Sequence, residues 1–127
     1  RIHMRDWTAD ELDQIGSADE LEIAALRPDG SLHRFTTIWV VRVDDDLYVR
    51  SWRGRNGGWF RSVLRRPEGR IRAGGLTREV AFQEPEDADH GAIDHAYQTK
   101  YARYGGSYVD PMVGLDAKAA TLRLIAR

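Results

Sequence analysis

Between Asp46 and Arg66 the hydrophobic period of this chain changes once, and that change limits the architectures open to it. In Asp46-Leu-Tyr-Val-Arg-Ser-Trp52, the residues Leu47, Val49 and Ser51 alternate with Tyr48, Arg50 and Trp52. A period of two makes this a strand with one small apolar face and one face of rings and charge. From Trp59 onward, Trp59, Phe60, Val63 and Leu64 follow the i, i+3, i+4 spacing of a helix, and Pro67 stops it. The loop between them, Arg53-Gly-Arg-Asn-Gly-Gly58, is basic and glycine-rich and leads into the helix amino end. Glycines let backbone N–H groups converge, the helix dipole favours negative charge, and arginine presents a fork of donors, so a phosphate or carboxylate suits this loop. Two plainer readings stand beside it. Asn56-Gly57 can turn a hairpin, although the residues after it have helical period. The arginines can also form a solvated surface, where most charged side chains lie.

The charge distribution sharpens the first reading. The whole chain carries −1, yet between Arg50 and Arg72 eight arginines face Glu68 alone, a local +7 that leaves −8 for the remainder. A basic zone on an otherwise acidic chain points to an anionic ligand at one place rather than to general nucleic-acid binding. Every basic residue in the zone is arginine, which favours bidentate oxyanion contacts.

With 127 residues the chain is long enough for one domain with its own core. Arg1-Ile-His3 ahead of Met4 reads as an expression remnant, which places the single domain at residues 4–127. No apolar run approaches a membrane span, and no leader pattern is present. The chain has no cysteine, which excludes disulfides and thiolate chemistry and fits a cytoplasmic location.

Thr8-Ala-Asp-Glu11 is a capping box, with Trp7 placed to staple onto Leu12 and Gly16 placed to end the helix. Residues 20–26 form a strand, and Pro28-Asp-Gly30 turns the chain. A long β-branched and aromatic strand over residues 32–43 and the Asp44-Asp-Asp46 hairpin complete a three-strand meander with the Leu47 strand. Residues 69–73 and 76–83 pair around Gly74-Gly75, and residues 117–126 form a final strand. Between them the longest helix runs from Asp89 to Tyr104, with Ile93, Tyr97, Tyr101 and Tyr104 as its packing stripe and Gly105-Gly106 as its end. Six antiparallel strands interrupted by helices give an α+β domain, either a small barrel with peripheral helices or a flatter sheet with helices on one face.

Side chains for catalysis do not stand out. Tyr48, Tyr108 and His33 are candidate proton donors. His90 and His95 lie five apart, not at the i, i+4 spacing that puts two ligands on one helical face, so no metal site is expected. No serine lies in a nucleophile-elbow pattern. Tyr97, Tyr101, Tyr104 and Tyr108 line either a core stripe or a pocket.

The segments Thr36-Thr-Ile-Trp39, Asp46-Leu-Tyr-Val49, Trp59-Phe60 and Gly69-Arg-Ile-Arg-Ala-Gly-Gly75 together resemble a family of small bacterial proteins. These are similar to the deazaflavin-dependent nitroreductases and to the wider flavin-binding split-barrel group. The resemblance covers residues 21–82 and the closing strand, and its strength lies in the order and spacing of the motifs. It implies an antiparallel six-stranded split β-barrel with peripheral helices. It also implies FMN or a deazaflavin coenzyme in a groove between two copies of the chain. By the same resemblance the cofactor phosphate falls to Arg50, Ser51, Arg53 and Arg55, and the ring to Thr36, Thr37 and Trp39. Three function classes follow: a flavin- or deazaflavin-dependent oxidoreductase, a cofactor-free small-molecule domain on the same fold, and an interaction module with a basic face.

Overall fold

This computed structural model describes residues 7–127; residues 1–6, which include the segment read from sequence as an expression remnant, lie outside the described residues. Helix α1 (Ala9–Gly16) starts at the expected capping box. Thr8 Oγ1 accepts from Glu11 N–H at 3.1 Å, and Glu11 Oε1 accepts from Thr8 N–H at 2.9 Å. Leu12 and Ile15, one helical turn apart, are its buried residues. Trp7 packs against the same core and donates its indole N–H to the carbonyl of Leu124 at 2.9 Å, tying the helix entry to the far end of the chain.

The strands are β1 (Leu21–Ala25), β2 (Thr36–Ile38), β3 (Val41–Val43), β4 (Asp46–Arg50), β5 (Glu68–Ala73), β6 (Leu76–Gln83) and β7 (Thr121–Ala126). They form one antiparallel sheet in the order β2-β1-β5-β6-β7-β4-β3. The single long strand expected over residues 32–43 is therefore two strands, and the count is seven rather than six. Their partners explain the break. Thr36–Ile38 pairs with β1, and Val41–Val43 pairs with β4, at opposite edges of the sheet. Only Trp39 and Val40 separate those edges, so the sheet has to curl until they approach each other, which makes it a half-barrel. The expected meander of three neighbouring strands is not formed, because β1 and β4 lie at different places in the order. The last strand also starts later than its sequence suggests, since Leu115–Lys118 is a short helix, α5.

Two apolar clusters result. Leu47 and Val49 face the inside of the curl with Leu21, Ile23, Ile71, Val80, Leu122 and Leu124, closed by α1 and by Phe60 and Val63 of α2 (Gly58–Arg65). Leu64, expected on that face, is 41 % exposed, and Trp59 is only partly buried. On the outer face, α3 (His90–Lys100) covers Val41 and Tyr48 with Ile93, Tyr97 and Tyr101. Tyr48 does alternate away from Leu47 and Val49, but α3 buries it and Arg123 Nη2 donates to its hydroxyl at 2.9 Å. Of the two rings that alternation puts on this face, Tyr48 is buried and Trp52 is exposed. After α3 the chain runs through short turns, including α4 (Gly106–Val109) and a 3₁₀ turn at Asp110–Val113, before α5. No described helix is long and apolar enough to cross a membrane.

Candidate functional site

Five of the eight arginines of the basic zone have an acidic partner in space. Arg55 pairs with Glu84 at 2.5 Å, Arg70 with Glu79 at 2.8 Å, Arg72 with Glu22 at 3.2 Å and Arg66 with Glu68 at 3.7 Å. Acids from β1, β6 and the loop before α3 come to the arginines one by one. Among the described residues only Arg53, Arg61 and Arg65 of the eight have no acidic partner within 4.0 Å.

Arg50 is the most enclosed of them, with 0 % of its side chain exposed. Its Nε donates to Thr121 Oγ1 at 2.9 Å. Nη1 donates to Asp94 Oδ1 at 2.6 Å and to the Met112 carbonyl at 2.9 Å. Nη2 lies 3.2 Å from His90 Nδ1. Burial, the Arg50 charge and Lys118 hold the imidazole of His90 below its usual range, and in the tautomer with its proton on Nε2 that neutral ring accepts from Arg50 at Nδ1. Four of the five guanidinium N–H groups are then engaged within the chain. Asp94 of α3 is the acidic partner of Arg50. Beneath it the Tyr97 ring lies 5.6 Å from the guanidinium carbon; its buried hydroxyl has no partner among the described residues, and burial pushes its pKa up.

A cleft of about 490 Å³ opens beside this cluster. Three tryptophans, Trp39, Trp52 and Trp59, line it together with Thr37 and Ile38. Ser107, Tyr108, Pro111 and Met112 come from the turns that follow α3, and Arg50 reaches its floor. Trp39 stands at the corner between β2 and β3. Tyr101 stacks behind it, with centroids 4.0 Å apart and planes 3° apart. That corner is clamped. The Tyr101 hydroxyl accepts from Val40 N–H at 3.1 Å and donates to the Asp19 carbonyl at 2.9 Å. Lys100 Nζ donates to the carbonyls of Gly16 and Val40 at 2.8 and 2.7 Å, and burial brings its pKa down to about 8. Trp39 is therefore a fixed flat platform.

Of the residues assigned from the resemblance, Thr37 and Trp39 line the cleft and Arg50 lies under it. Thr36 faces a second hollow of about 190 Å³ with His33, Arg34, Gly58, Trp59 and Ser62. Ser51 is 2 % exposed, with its hydroxyl against Gly57. Arg53 is exposed and lies 5.0 Å over the Trp52 ring. Arg55 is turned to Glu84 and to the Ala119 carbonyl. Four lining residues escape a sequence reading: Trp59, which helical period assigns to the core, and Ser107, Pro111 and Met112, whose aperiodic segment gives no face. Among the described residues no group of three His, Asp or Glu could hold a metal.

Known structures share this fold. The chain is similar to a conserved hypothetical protein, Rv2991, from Mycobacterium tuberculosis, with TM-score 0.65 and 19% identity over 100% of this chain and 86% of that one. It is similar to an F420 reductase, with TM-score 0.57 and 18% identity over 91% of this chain and 90% of that one. It is also similar to an FAD-binding protein from Mesorhizobium loti, with TM-score 0.54 and 18% identity over 97% and 92%. At these identities the likeness shows a shared fold. No curated protein matches the sequence. The model of the DUF2255 family, described as an uncharacterized protein conserved in bacteria, matches residues 11–124, and the chain belongs to that family.

Proposed function

We propose that this chain binds the planar ring of a flavin or deazaflavin in the Trp39 cleft and acts as an oxidoreductase on a small organic molecule. The observation that carries the reading is the Trp39 platform: an indole backed by Tyr101, held by Val40, Asp19 and Lys100, at the side of an apolar cleft. Its volume of about 490 Å³ falls within the range of small-molecule sites. Similar structures that bind F420 or FAD by name support the choice of ring. When bound, such a ring supplies hydride chemistry. The chain contributes position and dryness. Trp39 offers a stacking face, the hydroxyls of Thr37 and Ser107 meet polar ring edges, and Trp52, Trp59 and Met112 exclude water. Tyr108 at the rim is a candidate proton donor. Pairing of the zone's arginines with acids favours this reading over an interaction module with a basic face.

The proposal extends to a homodimer. Trp52 is 60 % and Tyr108 68 % exposed at the rim of the cleft, an apolar surface that a second copy would cover. Light scattering at micromolar concentration that gave one 14.5 kDa species would remove the dimer from the proposal. The ring itself is tested by titrating FMN and a deazaflavin against intrinsic tryptophan fluorescence. Binding is expected, weakened about tenfold or more in Trp39→Ala, since base–aromatic stacking contributes roughly 1–3 kcal/mol. Absence of quenching by either compound at about a hundred micromolar, a concentration at which typical cofactor sites are saturated, defeats the reading.

A further inference from the structure

We infer that the cleft recognises the ring of its ligand and not a phosphate tail, so that the tail stays in solvent. This rests on the ring-binding reading above and narrows it. Two of the three strand-and-loop arginines that would grip a phosphate, Arg50 and Arg55, are committed elsewhere. Arg50 has no exposed side-chain surface, and four of its five N–H groups already meet Thr121, Asp94, Met112 and His90. A ligand oxyanion would have to displace Asp94, an ionised partner at 2.6 Å that also lies 3.3 Å from Lys118 Nζ. Arg55 is held by both oxygens of Glu84 and by the Ala119 carbonyl. Arg53, exposed 5.0 Å over the Trp52 ring, is the one of the three without an acidic partner among the described residues, and the test below removes it.

The other anion-seeking feature points away. Helix α2 begins at Gly57 with no side-chain cap, but its first residue, Gly58, opens onto the smaller hollow with His33 and Arg34. Trp59 is the wall between that hollow and the cleft, lining both. Inside the cleft the side-chain polar groups open to a ligand are neutral: the hydroxyls of Thr37, Ser107 and Tyr108 and the indole N–H groups. Neutral donors and acceptors match the carbonyls and ring nitrogens of an uncharged heterocycle. A charged group brought in beside them would lose water without gaining a counter-charge.

The test is a titration of lumiflavin, riboflavin and FMN against the wild-type chain at low and at about 0.3 M salt, with Arg53→Ala in parallel. Lumiflavin carries the isoalloxazine ring with only a methyl in place of the side chain, riboflavin adds an uncharged chain, and FMN adds the phosphate. The expected result is three dissociation constants within about threefold of one another, unmoved by salt and by Arg53→Ala; a phosphate ion pair would instead separate FMN from riboflavin by roughly tenfold to a hundredfold. FMN binding at least tenfold tighter than riboflavin, with the gap closing in salt or in Arg53→Ala, overturns the inference while leaving ring binding intact. Equal failure of all three overturns the ring-binding reading on which it rests, and the inference with it.

Discussion

Replacing Asp94 with alanine leaves the Arg50 guanidinium charged in a site where its side chain has no exposed surface. Removing one partner of a buried pair costs about 3–5 kcal/mol, because the remaining charge is uncompensated. Two features move this case to the low end. The Asp94 side chain is 21 % exposed, so water can follow its removal, and Thr121, Met112 and His90 still accept from Arg50. The expected cost is about 3 kcal/mol, and for a chain of this size that corresponds to a fall in Tm of roughly 12 °C. Thermal unfolding followed by circular dichroism measures it. The companion variant changes both Arg50 and Asp94 to leucine. With no charge left to bury, it should recover most of the loss, since apolar replacements of buried ion pairs are often neutral or better. The reasoning is refuted if Asp94→Ala melts within about 4 °C of wild type, which corresponds to roughly 1 kcal/mol, or if the double variant is no more stable than the single one.

Other positions give equally direct tests. Gly69→Ala places a Cβ 2.0 Å from the Ala24 carbonyl oxygen and 2.9 Å from Ala25 Cα, so the β1–β5 pairing has to open; a loss above about 4 kcal/mol or insoluble protein is expected on expression and melting. Tyr97→Phe removes a buried hydroxyl without a partner among the described residues and should leave Tm unchanged or raise it; a loss beyond roughly 1 kcal/mol would reveal a hydrogen bond there. His90 has a folded pKa below its unfolded value, so the unfolded chain binds the extra proton. Its contribution is present above the ordinary imidazole value of about 6.5 and is lost as pH falls below that value. The wild type should therefore lose stability between about pH 7 and 5 more steeply than His90→Gln, and equal slopes in the two melting series would contradict this. Phe60→Ala, at a fully buried site, should cost about 3–5 kcal/mol, whereas Trp59→Ala should cost less stability and more ligand affinity.

What the sequence determined by itself is local in origin. The Thr8–Glu11 capping box, the strand-to-helix switch around Arg53–Gly58 and the Ile93–Tyr97 stripe of α3 each follow from residues within a turn or two of one another, where spacing fixes which side chains meet, although α3 ends at Lys100 rather than at Tyr104, which is 40 % exposed. The order of motifs along the chain also carried the split-barrel resemblance and with it Thr37 and Trp39 as cleft residues. The tertiary structure decided whatever depends on contacts distant in sequence. It broke residues 36–43 at Trp39–Val40, because their two halves pair at opposite sheet edges, and no property of that segment alone encodes its partners. It laid α3 over Tyr48, so that an outward-facing ring became buried. It brought Asp94 from 44 residues away to Arg50 and Glu84 from 29 residues away to Arg55. A cluster of like charges along the chain says nothing about which opposite charges folding will deliver to it, and here that delivery paired five of the eight arginines with acids.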